Sequence, residues 1–554
     1  MKRHRLIIAA LLCSMIGGGS AVADDFDDFM NDNMKGFDTF ISDANRDFID
    51  FMRHPWKKYE GKEPEKKRVV PEPPKMPVYD PKAPESKEPP KRLTIKEILD
   101  LTTEEGKQQG TTTAQGGTSV TPAPAPTPKP VPKAAPKPKP DTVKVTQPKP
   151  QPTPAPVISQ KPTPKPTPVP VTPAPAKPTP TPTPAPSKPS TSPLYSGGAG
   201  RTRINFMGVD YHVSNALDKA VTLKGIDENS LADGLETLYK SNYKPLLEDL
   251  RAMRSRDLGN DWALYLVVKQ IAEKFGGKNE SVLMRQFLLN NLGFRARMAK
   301  VIQKNALTLL VAPASQLYGC AFISEGGAKF YDVEADQPYS YKMCAKEAPD
   351  AKLKIDMSMR QTPRFGGTRK SSSHQGERYK AAASASVPVE LMEFYKRLPQ
   401  CDYSVYATAK VDKKFSDEVL DALRPAIKGK SEREAANILL DFVQSGFEYA
   451  TDPEQFGYEK PFFVEELFYY PYCDCEDRSM LYRYLVTQLL GLDVILLDYP
   501  GHIATAVRFN GDVPGDFVVG GGGKYIVCDP TFIGAPVGMA MPQFKNTAAD
   551  MLKY

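Results

Sequence analysis

Three residues whose side chains can carry nucleophilic catalysis follow one another near the end of the sequence: Cys475, His502 and Asp529. Cys475 stands at the predicted start of a helix that runs to Leu490, where the positive end of the helix dipole favours a thiolate. His502 is the only histidine in residues 387–554 and opens an apolar strand, so its ring could take the thiol proton. Asp529 follows another apolar strand and could hold the imidazole in one tautomer. This order predicts acyl transfer through a Cys-His-Asp triad.

An acyl-transfer site also needs donors for the oxyanion that forms on the attacked carbonyl. The backbone N–H of Cys475 is one donor. For the second we take the side chain of Gln455, with Tyr458 as the alternative; a plain surface position for Gln455 is the competing interpretation. Zinc fits less well, because residues 387–554 contain one histidine and no C-x-x-C pair. The predicted chemistry requires no cofactor.

Short motifs surround the three residues: Asp474-Cys475-Glu476-Asp477, Tyr499-Pro500-Gly501-His502 and Cys528-Asp529-Pro530-Thr531. With them the chain resembles the transglutaminase-like superfamily, papain-like in its core, and within it the bacterial transglutaminase-like cysteine proteinases, over about residues 401–538. The resemblance implies that Cys475 is the nucleophile, His502 the general base and acid, and Asp529 the orienting carboxylate. Cys473 replaces the small residue usual before the Asp-Cys pair, so it could cap or oxidise Cys475.

Carboxylates crowd the start of the predicted helix, on Asp474, Glu476 and Asp477. A helix N-terminus favours negative charge, so helix capping accounts for them without any ligand. The resemblance adds a second interpretation, since some calcium-dependent periplasmic members of that family use the acidic residues beside the catalytic cysteine. It implies Asp474 and Glu476 as Ca²⁺ ligands that set the position of the nucleophile.

The last part of the chain also looks like the second of two copies. Residues 281–288 and 479–486 share a helical pattern, and each helix runs to a glycine, Gly293 and Gly491. Strand patterns follow both. The predicted fold class is therefore α+β, with two tandem transglutaminase-like, papain-like domains.

The first copy lacks the residues of the triad. In an ungapped register Gly277 stands where the second copy has its cysteine, residues 315–318 contain no histidine, and Glu334 is the expected counterpart of the aspartate. We therefore expect a non-catalytic domain that binds substrate or packs on its neighbour. Cys320 and Cys344 could form a disulfide in it.

The N-terminus reads as an export signal. Basic residues precede an apolar run through Ile16, and Ala21-Val22-Ala23 predicts signal-peptide cleavage after residue 23. Cys13 raises a lipoprotein alternative, which the short apolar run before it disfavours. The sequence thus predicts a periplasmic or secreted protein, in which any working thiol must escape disulfide pairing.

A repeated phenylalanine stripe follows the signal. Phenylalanines recur at intervals of 11 residues: Phe26, Phe37 and Phe48, and Phe29, Phe40 and Phe51. This period keeps both sets on one face of a long amphipathic helix that ends near Pro55. The face either packs on the folded domains, or docks a protein partner or a second copy. Its acidic polar side disfavours a membrane surface.

Composition separates the remaining segments. The 554 residues include 54 Pro, and the Pro-rich stretch has almost no residues that could form a core. The net charge of +7 resides largely in isolated lysines of that stretch, which disfavours nucleic-acid binding, and no internal apolar run is long enough for a transmembrane helix. The predicted segments are a signal peptide (1–23), an amphipathic helix (24–56), a charged flexible segment (57–120), a disordered Pro-rich linker acting as a spacer (121–196), a degenerate domain (197–363), a connector (364–386) and a catalytic domain (387–554).

Three functions remain open at this point. The leading one is a cysteine peptidase acting on a protein or peptide of the cell envelope or outside the cell. The second is a transglutaminase or amidase acting on glutamine side chains through the same thioester. The third is a catalytically silent binding or assembly module that uses the phenylalanine stripe.

Overall fold

The structure is a computed structural model that describes residues 43–66, 78–79, 192–520 and 523–554. The predicted signal peptide, the phenylalanines at positions 26, 29, 37 and 40, and most of the charged segment and Pro-rich linker lie outside the described residues. Helices and sheets are both present, which confirms the α+β class. All described residues belong to one compact unit. Within them, no helix combines the length and apolarity that crossing a bilayer requires.

The helices of the described residues, in chain order, are α1 (43–52), α2 (Pro193–Ser196), α3 (Glu228–Lys240), α4 (Lys244–Arg256), α5 (Asp261–Phe275), α6 (Lys278–Asn291), α7 (Val389–Tyr395), α8 (Tyr403–Ala407), α9 (Lys413–Ile427), α10 (Glu432–Gly446), α11 (Asp452–Gln455) and α12 (Cys475–Leu490), with a 3₁₀ helix at Val464–Phe468.

The strands are β1 (Lys57–Glu60), β2 (Arg201–Phe206), β3 (Val209–Ser214), β4 (Ala296–Val301), β5 (Ala306–Val311), β6 (Ala321–Glu325), β7 (Ala328–Asp332), β8 (Ser340–Met343), β9 (Arg369–Gln375), β10 (Ala382–Pro388), β11 (Glu448–Tyr449), β12 (Tyr472–Cys473), β13 (Asp493–Tyr499), β14 (His502–Arg508), β15 (Phe517–Gly520), β16 (Gly523–Cys528) and β17 (Asp550–Leu552).

Two antiparallel sheets repeat one strand order. The first runs β1-β8-β4-β5-β7-β6, and the second, read in the same direction, runs β17-β13-β14-β16-β15. In each sheet, the two central strands form a hairpin that directly follows a helix, α6 in the first and α12 in the second. Both halves therefore show the same order of helix and strands.

The N-terminal segment is part of the first sheet. On α1, Phe48 and Met52 are buried, and β1 pairs antiparallel with β8. Two residues after β1, Lys62 pairs with Phe322 on β6, the strand at the other end of the sheet. Residues 57–62 thus link β8 to β6, and the part of the predicted docking helix that is described packs on the folded part.

The two halves of the globular part share their core. One cluster of buried side chains includes residues of α5 and α6 as well as α10 and α12. Hydrogen bonds to backbone carbonyls join them too: the Trp262 indole donates to the carbonyl of Arg397 at 2.7 Å, and the backbone N–H of Tyr318 donates to the carbonyl of Gln400 at 2.9 Å. The segment predicted as a connector forms much of the β9–β10 hairpin.

The predicted Cys320–Cys344 disulfide is wrong. Both residues are free cysteines, as are the other cysteines of the described residues. Cys320 precedes β6 and Cys344 follows β8, and these strands are not neighbours in the sheet. A disulfide needs Cα atoms within about 7 Å, so sequence proximity within one half was not sufficient.

Candidate active site

The helix that carries Cys475 begins where the sequence predicts. Cys475 is the first residue of α12 and Asp474 is its N-cap. Asp477 completes a capping box, because its Oδ2 accepts from the N–H of Asp474 at 3.2 Å. The thiol therefore lies at the positive end of a 16-residue helix that ends at Gly491, in the left-handed conformation.

His502 and Asp529 form a buried pair. His502 opens β14 after a tight Pro500-Gly501 turn, in which Gly501 has φ +85°, a conformation that favours glycine. Its Nε2 lies 2.9 Å from Oδ2 of Asp529, and both side chains are about fully buried, at 1% and 2% exposure. The other ring nitrogen, Nδ1, is buried with no hydrogen-bond partner. The ring thus has one nitrogen fixed by a carboxylate and one left for a proton transfer.

The remaining oxygen of Asp529 fixes that carboxylate in turn. Oδ1 accepts from the backbone N–H groups of Thr531 at 2.9 Å and Phe532 at 3.3 Å. On the opposite side, the ring of Phe544 stacks on His502 with 5.1 Å between centroids and 11° between planes. The imidazole is therefore held in one orientation by two different kinds of contact.

The packing of α12 on β14 brings the start of α12 close to His502. Ser479, one helical turn after Cys475 on the same face, donates to the carbonyl of Ile503 at 3.1 Å, and Ile503 directly follows His502. Cys475 itself is buried, and its thiol donates to Oε2 of Glu476 at 3.3 Å. The helix start and the histidine thus share one end of the α12–β14 interface, although in this state the thiol proton is directed to a carboxylate.

Gln455, the predicted oxyanion donor, is near the site but occupied. Its Nε2 donates to the carbonyl of Tyr472 and its Oε1 accepts from the N–H of Tyr472, both at 3.2 Å. Tyr472 is three residues before Cys475, so the side chain lies beside the helix start. Tyr458, the alternative, is 58% exposed.

Cys473 is in a different environment from Cys475. It lies in β12, is buried, and directs its thiol to the carbonyl of Glu448 at 3.6 Å. Burial raises the pKa of the Cys473 thiol to about 12. A thiol with such a pKa is almost wholly protonated at neutral pH, which makes Cys473 the poorer nucleophile.

An acidic cluster surrounds the start of α12. Carboxylate oxygens of Asp452, Asp474 and Asp477 lie within 4.8 Å of one another, and so do those of Asp452, Glu459 and Glu476. Burial, together with the charges of Asp477 and Glu476, raises the pKa of Asp452 to about 10. Burial and the adjacent Glu476 also raise the pKa of Asp477 well above its usual value.

This donor set fits a hard cation such as Ca²⁺, which binds carboxylate oxygens and relieves their mutual repulsion. The predicted ligands Asp474 and Glu476 both belong to it. Asp452 and Glu459 were missed by the sequence reasoning. The signal for them was weak: an acidic segment, 452–459, on either side of Gln455.

The first half differs from the second at the positions that match Cys475 and His502. Helix α6 begins at Lys278 after Gly277 and offers no thiol, as predicted. The strand that matches β14 is β5, which begins at Ala306, so the predicted position 315–318 is wrong; that segment follows the strand.

The counterpart of Asp529 also differs from the prediction. Asp332, at the end of β7, accepts from the hydroxyl of Thr308 on the neighbouring β5 at 3.0 Å. Glu334, the predicted counterpart, instead forms ion pairs with Arg285 and Lys269. A threonine cannot act as the base of a triad, so the first half presents no equivalent of the His502–Asp529 pair.

Neither a scan against protein-family models nor searches of curated proteins and of solved structures gave a match to this chain. The arrangement of Cys475, His502 and Asp529 therefore stands on its geometry.

Proposed function

We propose that the chain is an exported thiol enzyme of transglutaminase-like type, most simply a cysteine peptidase that works through Cys475, His502 and Asp529. One observation carries the proposal: a buried imidazole is fixed through Nε2 by a carboxylate and keeps Nδ1 without a partner, beside a helix that begins with a cysteine. Nδ1 of His212 is also buried without a partner, so what distinguishes His502 is its contact with Asp529 beside the start of α12.

The residues divide the chemistry as follows. Nδ1 of His502 takes the thiol proton, and the Cys475 thiolate attacks the carbonyl carbon of a peptide bond. The N–H of Cys475 donates to the resulting oxyanion, and Gln455 joins it by exchanging the carbonyl of Tyr472 for the oxyanion. His502 then returns the proton to the leaving amine, which leaves an acyl-enzyme. A water molecule, deprotonated by His502, hydrolyses the thioester and restores the thiol.

The acidic cluster has a place in this proposal. A bound Ca²⁺ would neutralise the carboxylates of Asp452, Asp474, Glu476 and Glu459, supplying electrostatic stabilisation at the helix start. In this structure, Oε2 of Glu476 accepts a hydrogen bond from the Cys475 thiol. With that carboxylate bound to the cation, the Cys475 thiol proton would be available to His502.

Calorimetry with Ca²⁺ tests this part. Heat of binding should disappear in Asp474→Ala and persist in Asp417→Ala, which removes a carboxylate that is 56% exposed on α9. Binding should tighten as the pH rises, because the raised pKa values of Asp452 and Asp477 make protons compete with a cation for these carboxylates. Full activity in excess chelator would mean that activity needs no bound cation and that the acidic residues act only as charges at the start of the helix.

An activity-based thiol probe tests the enzyme itself. Labelling of the reduced protein should vanish in Cys475→Ala and survive in Cys473→Ala and Cys528→Ala, two buried thiols whose pKa values burial raises to about 12. Absence of labelling in the parent protein under reducing conditions would favour the silent binding module. Comparing protein termini in cells with and without Cys475 would then identify cleaved substrates.

The acyl acceptor separates peptidase from transamidase. Both use the same thioester and differ in whether water or an amine reaches it. Incubation with a glutamine-containing protein and a fluorescent primary amine should give no incorporation if water is the acceptor. Cys475-dependent incorporation would identify the chain as a transglutaminase.

A further inference from the structure

We propose that Gln444 and Arg478 are positioning residues that set the His502–Asp529 pair against the nucleophile helix. The inference rests on the proposed function and names two residues to which no catalytic or binding role has been assigned. Both side chains are buried, Gln444 at 2% and Arg478 at 0% exposure. Together they link three segments that are distant in sequence: α12, the C-terminal end of α10, and the loop from Asp529 to Ala535.

Gln444 holds the loop that carries the orienting carboxylate. The two N–H groups on its Nε2 are shared among the carbonyls of Asp529 at 2.9 Å, Phe532 at 2.7 Å and Ala535 at 3.1 Å. Its Oε1 accepts from the N–H of Gly534 at 3.1 Å. One carboxamide thus contacts the loop at four points. Because that loop also supplies the N–H groups that hold Oδ1 of Asp529, its position determines where Oδ2 meets His502.

Arg478 holds Gln444 in place from the nucleophile helix. It is three residues after Cys475, and its guanidinium donates to the carbonyls of Val443 at 3.1 Å, Gln444 at 2.8 Å and Phe447 at 2.6 Å. Carbonyls in the last turn of a helix have no partner within that helix, and a positive charge is favoured there. Arg478 therefore satisfies the end of α10 while tying it to the first turn of α12.

The two side chains form a second connection between the nucleophile and the pair. The first is the direct packing of α12 on β14 through Ser479 and Ile503. The second runs from Cys475 through Arg478 and Gln444 to Asp529. Two separate attachments fix relative position better than one, and a misplacement of about 1 Å can cost a reaction two orders of magnitude in rate.

Hydrogen exchange measures whether Gln444 holds the loop. In Gln444→Met, which keeps the length of the side chain but none of its hydrogen bonds, amide exchange in residues 529–535 should accelerate at least about tenfold. Asn437→Ala is the matched control: Asn437 is also on α10, and its Oδ1 accepts from the N–H of Val537 at 2.8 Å, beyond that loop. In Asn437→Ala, the amide exchange rates of residues 529–535 should stay within about twofold of those in the parent protein. Unchanged exchange in Gln444→Met would overturn the proposal.

A double-mutant cycle with His502→Ala measures whether the effect passes through the histidine. The readout is the rate at which iodoacetamide alkylates Cys475, per folded protein, followed by mass spectrometry of the Cys475 peptide. Gln444→Met should slow alkylation about tenfold in the parent and by less than about twofold in His502→Ala, since the interaction it supports is then absent. Equal slowing in both backgrounds would mean general destabilisation and would overturn the positioning role.

Arg478→Lys provides the second variant if Gln444→Met does not fold, because a single ammonium keeps the charge but cannot span three carbonyls. It should show the same dependence on His502. The two proposals fail differently. If His502→Ala alone leaves alkylation unchanged, the proposed function is overturned and the positioning role with it. If His502→Ala slows alkylation but Gln444→Met and Arg478→Lys do not, only the positioning role is overturned.

Discussion

The environment of His502 concentrates several constraints on one ring. Asp529 holds Nε2, Phe544 stacks on one face, and Tyr499 lies nearly parallel to the ring with 6.5 Å between centroids. These contacts leave Nδ1 as the ring atom free to exchange a proton. The contact with Asp529 directs the Nε2 proton to the carboxylate and turns Nδ1 towards the reaction.

The first prediction follows from that arrangement. His502→Ala should abolish turnover and slow the alkylation of Cys475 by at least about tenfold near pH 6, because the thiolate loses its cationic partner. Asp529→Asn should leave the fold largely intact and cost about 10³–10⁴ in turnover, as in other triads that lose control of the tautomer. Alkylation rates from pH 5 to 9 check both. Identical profiles for the parent and His502→Ala would exclude a Cys475–His502 pair.

A second prediction concerns Glu465, which is buried away from the triad. Its Oε1 accepts from the N–H of Asp412 at 2.7 Å, and its Oε2 is buried with no partner. Burial raises the pKa of Glu465 to about 7. The folded protein thus keeps a proton that the unfolded chain releases near pH 4.5, so the contribution of Glu465 to stability should fall as the pH rises from about 4.5 to 7 and level off above.

The change across that window is on the order of 3 kcal/mol. Glu465→Gln keeps the acceptor for Asp412 but cannot ionise, so it should be more stable than the parent at pH 8 and similar to it at pH 5. Denaturant midpoints at the two pH values test this. Parallel pH dependence in parent and variant would show that Glu465 does not control it.

Prediction from the sequence worked at this scale wherever the signal was local. A helix start after Asp474, a strand that begins at His502 and a strand that ends just before Asp529 follow from patterns within a few residues. Asp452 and Glu459 join the acidic cluster because the short parallel pair of β11 and β12 places residues 448–449 beside 472–473. No local pattern predicts that pairing.

Among the elements, α1 shows where the prediction from the phenylalanine spacing holds and where it does not. The interval of 11 residues predicts one face for all phenylalanines. In the structure the buried face of α1 includes Phe48, Ile49 and Met52, while Phe51 is 38% exposed beside Lys346. A step of three residues turns a helix by about 300°, so Phe48 and Phe51 lie about 60° apart, and the core covers only one of them.

The third prediction compares these two residues. Phe48→Ala should destabilise the protein by about 3–5 kcal/mol, since it removes a ring from the core. Phe51→Ala should cost less than about 1 kcal/mol, mainly a contact with the Lys346 ammonium. Thermal or denaturant unfolding of the two variants provides the comparison. Similar losses for both would mean that the exposed ring also has a packing partner.

At the scale of the whole molecule, the sequence partly predicts the repeated order of elements. It does not predict how the two halves pack together. Helix patterns ending at Gly293 and Gly491 indicated two copies. The shared core and the strand β1, which reaches the first sheet from before the Pro-rich stretch, depend on contacts between residues hundreds of positions apart. Composition and periodicity describe neighbours in sequence, so they carry no information on such contacts.

The position of the N-terminal segment has a consequence for the Pro-rich stretch. Helix α1 packs in the shared core and β1 pairs within the first sheet. Val78 pairs with Ile533, just beyond Asp529, and the N–H of Tyr79 donates to the Ile533 carbonyl at 2.8 Å. On the far side of the stretch, Leu194 is buried in the same core. Both ends of residues 80–191 are therefore attached to one body, and the stretch does not separate α1 from the proposed catalytic part.

A single cut within residues 80–191 should accordingly leave two polypeptides that remain associated. With a specific protease site inserted there, the cleaved protein should elute from a sizing column like the intact chain, and the fragments should part only in denaturant. Release of the N-terminal fragment under native conditions would instead mean that its contacts are weak and that the spacer interpretation deserves preference. If the fragments stay together after the cut, one gene product can persist as a non-covalent heterodimer. In the uncut protein, the connection would then serve to keep the two parts close during folding.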